Sequence, residues 1–345
     1  MRGEYRMLRV EIVIAAYNVQ NYISQCIQSA LRQSYSNCHL LIIDDGSSDD
    51  TLQRIKEATK DFSLDAYTVV HRDNSGLADT RNYALDHLQG DCVTFLDGDD
   101  LIPRDYVSSL VSVMEKTSAD LVACPFTKIT STYFIPKNNF LGSSNSNKTE
   151  VIDNTEFLQR LTTLSLPKGI DVSSHSKLYK NECWDNLRYP SKKIFEDSFV
   201  IFNILQSVKH IALTDATHYL YRYRPDSIVN SPFNLTRLQY IEAEKFLYDK
   251  VQNVYPNTQL AKQAHIRLDH VYLNTLMHIA LTDDSKFSDL ERRLRPAALG
   301  KRPIYSIFIE KIPIIDRIGR FALWIGLPVF NIASRLFRIT KRTRT

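Results

Sequence analysis

Four short apolar stretches in the first hundred residues, each separated from the next by a helix-period segment, leave this chain few ways to fold. RVEIVIAAY, HLLIIDDGSSD, AYTVVHR and CVTFLDGDD read as strands, two of them running on into loops. Between them, NYISQCIQSALRQS, TLQRIKEATK and GLADTRNYALDHL repeat apolar residues with the period of an amphipathic helix. This βαβα succession predicts an α/β fold, a mostly parallel sheet flanked by helices on both faces. Ligands of such sheets bind outside the carboxyl ends of the strands. Tyr17 and Asn18 after the first strand, Asp44, Asp45 and Gly46 after the second, and Asp97 to Asp100 after the fourth are therefore expected to line one crevice.

The fourth strand collects three aspartates, Asp97, Asp99 and Asp100, within four positions. Carboxylates this close repel one another unless a helix N-terminus or a cation offsets the charge. One reading is a solvated turn in which Asp99 or Asp100 caps a helix starting near Pro103. The other is a divalent metal, Mn2+ or Mg2+, on the Asp97-x-Asp99 pair, with Gly98 between them admitting a bulky ligand. Neither G-x-G-x-x-G nor a P-loop occurs, so a bound diphosphate has no glycine-rich cradle and needs such a cation to neutralise it.

At 345 residues and 43% hydrophobic content the chain buries a sizeable core, as one large or two smaller domains. Five scattered cysteines without C-x-x-C spacing fit a reducing cytosol better than a disulfide framework. Glu4, Arg6, Arg9 and Glu11 interrupt the start, so no secretory signal is expected there. From about residue 126 the alternation loosens, and LGSSNSNKTE (141–150) reads as a polar surface loop. Strand and helix patterns return with HSKLYK and FEDSFVIFNILQSV, and helical segments follow from about 236. The divisions expected are 1–125, 126–235 and a helical region 236–345.

Four segments carry a family resemblance: VIAAYN (13–18), IIDDGSSDDT (42–51), NSGLADTRNYAL (74–85) and FLDGDD (95–100). In their order and spacing the first hundred residues resemble the nucleotide-sugar-binding half of a family 2 glycosyltransferase of bacterial polysaccharide type. Such enzymes have the GT-A fold, in which a Rossmann-like sheet carries the donor. The resemblance implies that 1–125 binds the nucleotide sugar and that 126–235 completes the same domain as its acceptor-binding half. It also implies that Tyr17 packs on the nucleobase and Asp45 accepts from a uracil imide, favouring a UDP-sugar donor. Arg81 resembles the arginine reaching the nucleotide or its phosphates, with Gly76 allowing close approach. Asp97 then faces ribose and sugar, while Asp99 ligates the metal with Asp97 beside it. UDP departs as an anion, and a metal there offsets the charge that develops.

A sugar hydroxyl is too weak an acid to attack an anomeric carbon unaided, so a base is required. KIFEDSFVIFNIL places Glu196 and Asp197 at the start of an apolar helix and resembles the family's E-D pair, in which the aspartate deprotonates the acceptor. Acidic residues are also favoured at helix starts for electrostatic reasons alone. Asp197 is the expected base and Glu196 its substitute. Two later pieces resemble the family more loosely: HSKLYK implies Lys177 as a sugar or phosphate contact, the other reading being a solvated lysine, and HYLYRYRPDSI implies that Arg222, Arg224 and Ser227 close over the diphosphate. The implied chemistry is a single in-line displacement that inverts C1 and moves a hexose or N-acetylhexosamine to a glycan acceptor.

Residues 291–345 hold thirteen Lys or Arg against three Asp or Glu, while the rest of the chain is net acidic. Nucleic acid binders spread such charge across a folded face, so no nucleic acid partner is expected. In RIGRFALWIGLPVFNIASRLFRITKRTRT (317–345), Ile318, Phe321, Trp324, Ile325, Val329, Ile332 and Leu336 recur at helical spacing ahead of Arg335, Arg338, Lys341, Arg342 and Arg344. The uncharged core is too short to span a bilayer and reads as one interfacial helix on an anionic membrane, peripheral on the cytoplasmic face. The competing reading is a helix docked on the protein's own core or on a second copy. A lipid-linked glycan acceptor in cell-surface polysaccharide synthesis follows by analogy. Two other functions compete: a catalytically inactive nucleotide-binding scaffold, and a sugar-nucleotide pyrophosphorylase, whose glycine-rich loop is missing from AAYNVQNY.

Overall fold

The computed structural model describes residues 6–130, 132–133, 148–164, 169–224, 232–282, 285–300 and 312–342, with side chains as far as Leu336. It divides into two compact units, Met1–Leu161 with Pro167–Arg224, and Thr162–Leu166 with Pro225–Thr345.

The first unit begins with β1 (Val10–Ala16), α1 (Ile23–Leu31), β2 (Cys38–Asp44), α2 (Thr51–Thr59), β3 (Tyr67–His71), α3 (Leu77–Asp86) and β4 (Cys92–Asp97). It continues through α4 (Tyr106–Thr117), β5 (Leu121–Ala123), β6 (Phe126–Ile129), β7 (Thr149–Ile152), α5 (Asn154–Leu161), β8 (Lys177–Lys180), α6 (Asp197–Ser207), β9 (Ile211–Thr214) and β10 (Tyr219–Arg222). Among the described residues, eight strands form one sheet in the order β3-β2-β1-β4-β8-β5-β9-β7, and β10 pairs with β6 apart from it. The predicted βαβα half is parallel throughout, β1 lying between β2 and β4. Beyond β4 the sheet is mixed, because β8 runs antiparallel to both β4 and β5.

A central parallel strand is covered on both faces and so reads as a nearly unbroken apolar run. Val10, Ile12 and Ile14 of β1 accordingly join Ile23 and Ile27 of α1 and Tyr106 and Leu110 of α4 in one buried cluster. The acidic strand end does not serve as the cap of α4. That helix begins at Tyr106 behind Asp105, whereas Asp99 and Asp100 turn to the β10 segment. Of the expected loop 141–150, residues 141–147 lie outside the described residues, and Thr149 and Glu150 open β7.

The second unit contains α7 (Leu238–Val254), α8 (Gln259–Thr282), α9 (Ser288–Leu299), α10 (Ile314–Ile325) and α11 (Leu327–Arg342). Leu273, Leu276, Ala280, Leu323 and Phe330 form its core, and Glu244 of α7 holds Arg267 of α8 through two hydrogen bonds of 2.7 and 2.8 Å. The tail expected as one helix is two. The chain breaks at Gly326, and Pro328 falls in the first turn of α11, where its missing N–H breaks no helical bond. Inward-facing Asp316 and Arg320 are buried, while Ile318, Phe321, Trp324, Ile325, Val329, Ile332 and Leu336 are all at least 40% exposed. Arg338, Lys341 and Arg342 lie on α11 beyond the described side chains, and Arg344 lies outside the described residues. No helix among the described residues is long and apolar enough to cross a membrane.

The turn after β2 depends on Gly46, whose φ is +71° and whose Cβ position lies 2.6 Å from the backbone nitrogen of Asn74. Gly46→Ala is expected to cost about 1–3 kcal/mol of unfolding free energy from the forced backbone conformation, with the contact adding to it. A lower urea midpoint at unchanged slope checks this.

Candidate active site

The loops after β1 and β2 are stitched together before any ligand arrives. Asn18, at φ +50°, donates its N–H to Ser47 Oγ at 3.0 Å and accepts from the Ser48 N–H at 2.9 Å. Asp49 accepts from the N–H groups of Gln20 and Thr51, at 3.2 and 3.0 Å. These bonds hold the loop while the Tyr17 ring stays half exposed at the sheet edge, where a planar base can stack on it.

Asp45 is 3% exposed and faces inward. Its carboxylate accepts from Ser75 N–H at 3.1 Å, Ser75 Oγ at 3.0 Å and Gly76 N–H at 2.8 Å. The residue expected to meet a base therefore also anchors the loop before α3, and only its remaining lone pairs are open to a ligand. Gly76, at φ +91°, sits at the head of α3 with nothing within 4 Å of its Cβ position, so the space above it is open. Asp44, which pattern reading placed in the crevice, is fully buried with Oδ2 2.6 Å from His71 Nδ1.

The three aspartates after β4 have three different environments. Asp97 accepts from Arg81 Nη2 at 2.9 Å, and its side chain is 27% exposed. Asp99 pairs through Oδ2 with Arg224 Nε at 2.8 Å, and its carbonyl accepts from Arg222 Nε at 2.7 Å. Asp100 is 1% exposed and is held by Tyr219 Oη at 2.7 Å and the Arg222 N–H, also at 2.7 Å. Burial, reinforced by Asp99 and Asp97, pushes the Asp100 carboxyl well above the usual range. Burial also raises Asp99, against the pull of Arg224. Tyr219 Oη also accepts from the Asp97 N–H at 3.1 Å, with the His175 ring stacked on Tyr219 at 4.5 Å. Asp100, Tyr219 and His175 thus form a support that sequence reading missed. A buried Asp beside two candidate ligands was the available signal for it.

Arg81 is 2% exposed and does not point outward as a free phosphate contact. Its guanidinium donates to Asp97 Oδ1 at 2.9 Å, Glu196 Oε1 at 2.6 Å and Asp197 Oδ1 at 2.9 Å. Burial acts to discharge it, but Asp197, Asp97 and Glu196 outweigh that and hold its pKa well above the ordinary value. Elements 116 residues apart, α3 and the start of α6, are thereby tied to the end of β4. Glu196 is deeply buried, and burial followed by Asp197 raises its carboxyl to about 7. Asp197 begins α6 and keeps 19% of its side chain exposed.

Arg222 is buried, with its guanidinium 5.1 Å from the Tyr22 ring centre and that of Arg224 5.6 Å from the same ring. Lys177 differs from its expectation. It is fully buried, and its ammonium donates to Asp171 Oδ1 and the Ser173 carbonyl, both at 2.7 Å, so its charge is spent inside the fold. Ser227 lies outside the described residues. Among the described residues no group of three or more His, Cys, Asp or Glu side chains gathers to hold a metal.

Known proteins share this architecture. Residues 11–172 match the model of Glycosyl transferase family 2. The glycosyltransferase GlyA of Streptococcus pneumoniae is 28% identical over 223 residues, 64% of this chain and 31% of that protein. The uncharacterized glycosyltransferase EpsJ of Bacillus subtilis is 27% identical over 237 residues, 65% of this chain and 64% of that one. This chain therefore spans less than two thirds of the length of either relative. The structure of residues 1–349 of S. aureus TarS in complex with UDP-GlcNAc superposes with a TM-score of 0.64 at 14% identity, covering 96% of this chain and 92% of that one. With the parallel strands and the acid-rich end of β4 in agreement, residues 11–172, just under half of the chain, are similar to glycosyl transferase family 2, and the fold is of the GT-A type.

Proposed function

We propose that the protein is an inverting glycosyltransferase that moves a hexose or N-acetylhexosamine from a UDP-sugar to a glycan acceptor carried on a lipid, in cell-surface polysaccharide synthesis. The observation that carries this reading is the Arg81 fork. It sets a strand-end carboxylate on the proposed donor side, Asp97, and an accessible carboxylate, Asp197, around one immobile cation. TarS, the fold neighbour, is a protein seen with UDP-GlcNAc, which favours a uridine donor here. Tyr17 stacks on the base, Asp45 meets its edge, Gly76 gives room, and Arg222 and Arg224 stand by the diphosphate, with Ser227 as an added contact. In this reading 1–125 is the donor half and 126–235 the acceptor half.

Mn2+ or Mg2+ fits the donor set. Such hard cations are held through one or two carboxylates plus substrate phosphates, and Asp99 with Asp97 supplies that number. When bound, the ion offsets charge on departing UDP. Arg224 already occupies Asp99 Oδ2, so arginine and cation compete for that oxygen. Asp197 removes the acceptor proton, the freed oxygen bonds to C1, and the C1–O bond to UDP breaks with its electron pair leaving on UDP. Inversion fits this division of roles: Asp97 and Asp99 serve the donor and its cation, and Glu196 is buried against Arg81, which leaves Asp197 for the acceptor.

The exposed apolar residues of α10 and α11 support docking on an anionic membrane through residues 317–345, peripheral on the cytoplasmic face. Nine of the large exposed hydrophobics, from Ile314 to Leu336, belong to these two helices. A basic tail adds about 1 kcal/mol per Lys or Arg near an anionic leaflet.

The functional reading is tested by thermal midpoints with UDP, GDP or CDP, each with Mn2+ or chelator. A metal-dependent rise with UDP alone is expected, because a ligand of the native state stabilises it. Asp197→Asn should keep that rise yet lose UDP-sugar turnover at least a hundredfold. A variant that turns over at the wild-type rate overturns the base. Glu196 gives a separate check. Its folded-state pKa lies above the ordinary 4.5, so the stability it contributes is full below 4.5 and lost as pH rises through about 7. Glu196→Gln should remove that slope between pH 5 and 8 in urea unfolding. For the tail, flotation with vesicles of phosphatidylglycerol should carry the wild type up. Trp324→Ser with Ile325→Ser should stay in the pellet fraction.

A further inference from the structure

The two oxygens of Asp197 are not equivalent. Among the described residues both hydrogen bonds to its side chain end on Oδ1, from Arg81 Nη1 at 2.9 Å and from Ser174 Oγ at 2.5 Å. Oδ2 receives no donor among the described residues, and the side chain is 19% exposed.

A carboxylate only accepts, and a serine hydroxyl has one proton to give. Ser174 therefore donates to Asp197 and must accept from Tyr189, whose hydroxyl lies 2.6 Å from Ser174 Oγ. The donor direction runs from Tyr189 through Ser174 to Asp197. Both supporting residues are 2% exposed, and each is fixed from behind. Asn82 donates its Nδ2–H to the Tyr189 carbonyl at 2.9 Å and accepts the Tyr189 N–H at 2.8 Å. Tyr179 Oη donates to the Ser174 carbonyl at 3.2 Å. Arg81 alone cannot orient the carboxylate, because Nη1 is shared with Glu196 at 2.6 Å and rotation about the last bond of an aspartate is soft.

We infer that Ser174 and Tyr189 are positioning residues for the transfer reaction: they pin Asp197 by Oδ1 and present Oδ2 to the acceptor hydroxyl. This rests on Asp197 being the base. In the step, the acceptor O–H bond breaks and its proton goes to Oδ2. The acceptor oxygen bonds to C1, and UDP leaves with the electron pair of the old C1–O bond.

The test uses the full chain and release of UDP from whichever of UDP-glucose, UDP-galactose, UDP-GlcNAc and UDP-GalNAc the wild type turns over fastest. Ser174→Ala and Tyr189→Phe should lower kcat roughly ten- to a hundredfold, with KM for the donor within about twofold, since misplacing a reacting group acts on the chemical step. Ser174→Thr restores a hydroxyl and should recover most of the loss. Wild-type kcat in Ser174→Ala overturns the inference. So does a loss shared by kcat, KM and thermal midpoint that Thr does not rescue. Asp197→Asn, run in parallel, separates the two claims. An active Asp197→Asn removes the base and this inference with it. An inactive one beside a normal Ser174→Ala removes only the positioning role.

Discussion

One buried guanidinium holds the proposed catalytic centre together. Arg81 is out of water and is the hub of three carboxylates contributed by β4 and the start of α6. A charge in that position is tolerated only when paired, and removing one partner of a buried pair costs roughly 3–5 kcal/mol because the remaining charges lose their compensation. The arginine is outnumbered, so the carboxylates do not share it equally. Glu196, the most enclosed of the three, is raised toward neutrality. Asp197 retains contact with solvent, and in the proposed function it is the carboxylate that takes the acceptor proton.

The rest of the first unit can be read as the scaffold this hub requires. A parallel half-sheet brings strand ends to one edge, and the antiparallel β8 adds the 171–177 segment beside β4. Lys177 and Asp171 satisfy one another inside that segment, which frees Ser174 to face Asp197. Behind β4, Tyr219 bridges the Asp97 backbone and the Asp100 side chain, so the acidic turn is supported from the β10 strand.

The first hundred residues announced themselves because parallel strands leave a strong periodic signature and the acidic strand ends follow at fixed positions. Those residues alone predicted that Tyr17, Asp45 and Asp97 stand at the ends of parallel strands. Direction was harder to read. Arg81, Asp45 and Lys177 carry side chains suited to ligands, yet each spends its groups on other parts of the protein, and one-dimensional spacing does not say which way a charged side chain turns. Ser174 and Tyr189 lay in no motif, and Tyr219 sat in a segment singled out for its arginines, since their roles arise from contacts over separations as long as 122 residues. The tail misled for a local reason: apolar spacing continues smoothly through Gly326, while the backbone does not.

The clamp that Asp45 places on Ser75 and Gly76 ties the end of β2 directly to the head of α3. Arg81 sits just over one turn into that helix, and the helix is too short to bend between the two points. The loop at the proposed nucleotide edge and the guanidinium at the proposed reaction centre are thus parts of one stiff lever. Any displacement at the Asp45 end must be transmitted to the carboxylates that Arg81 grips or be resisted by them.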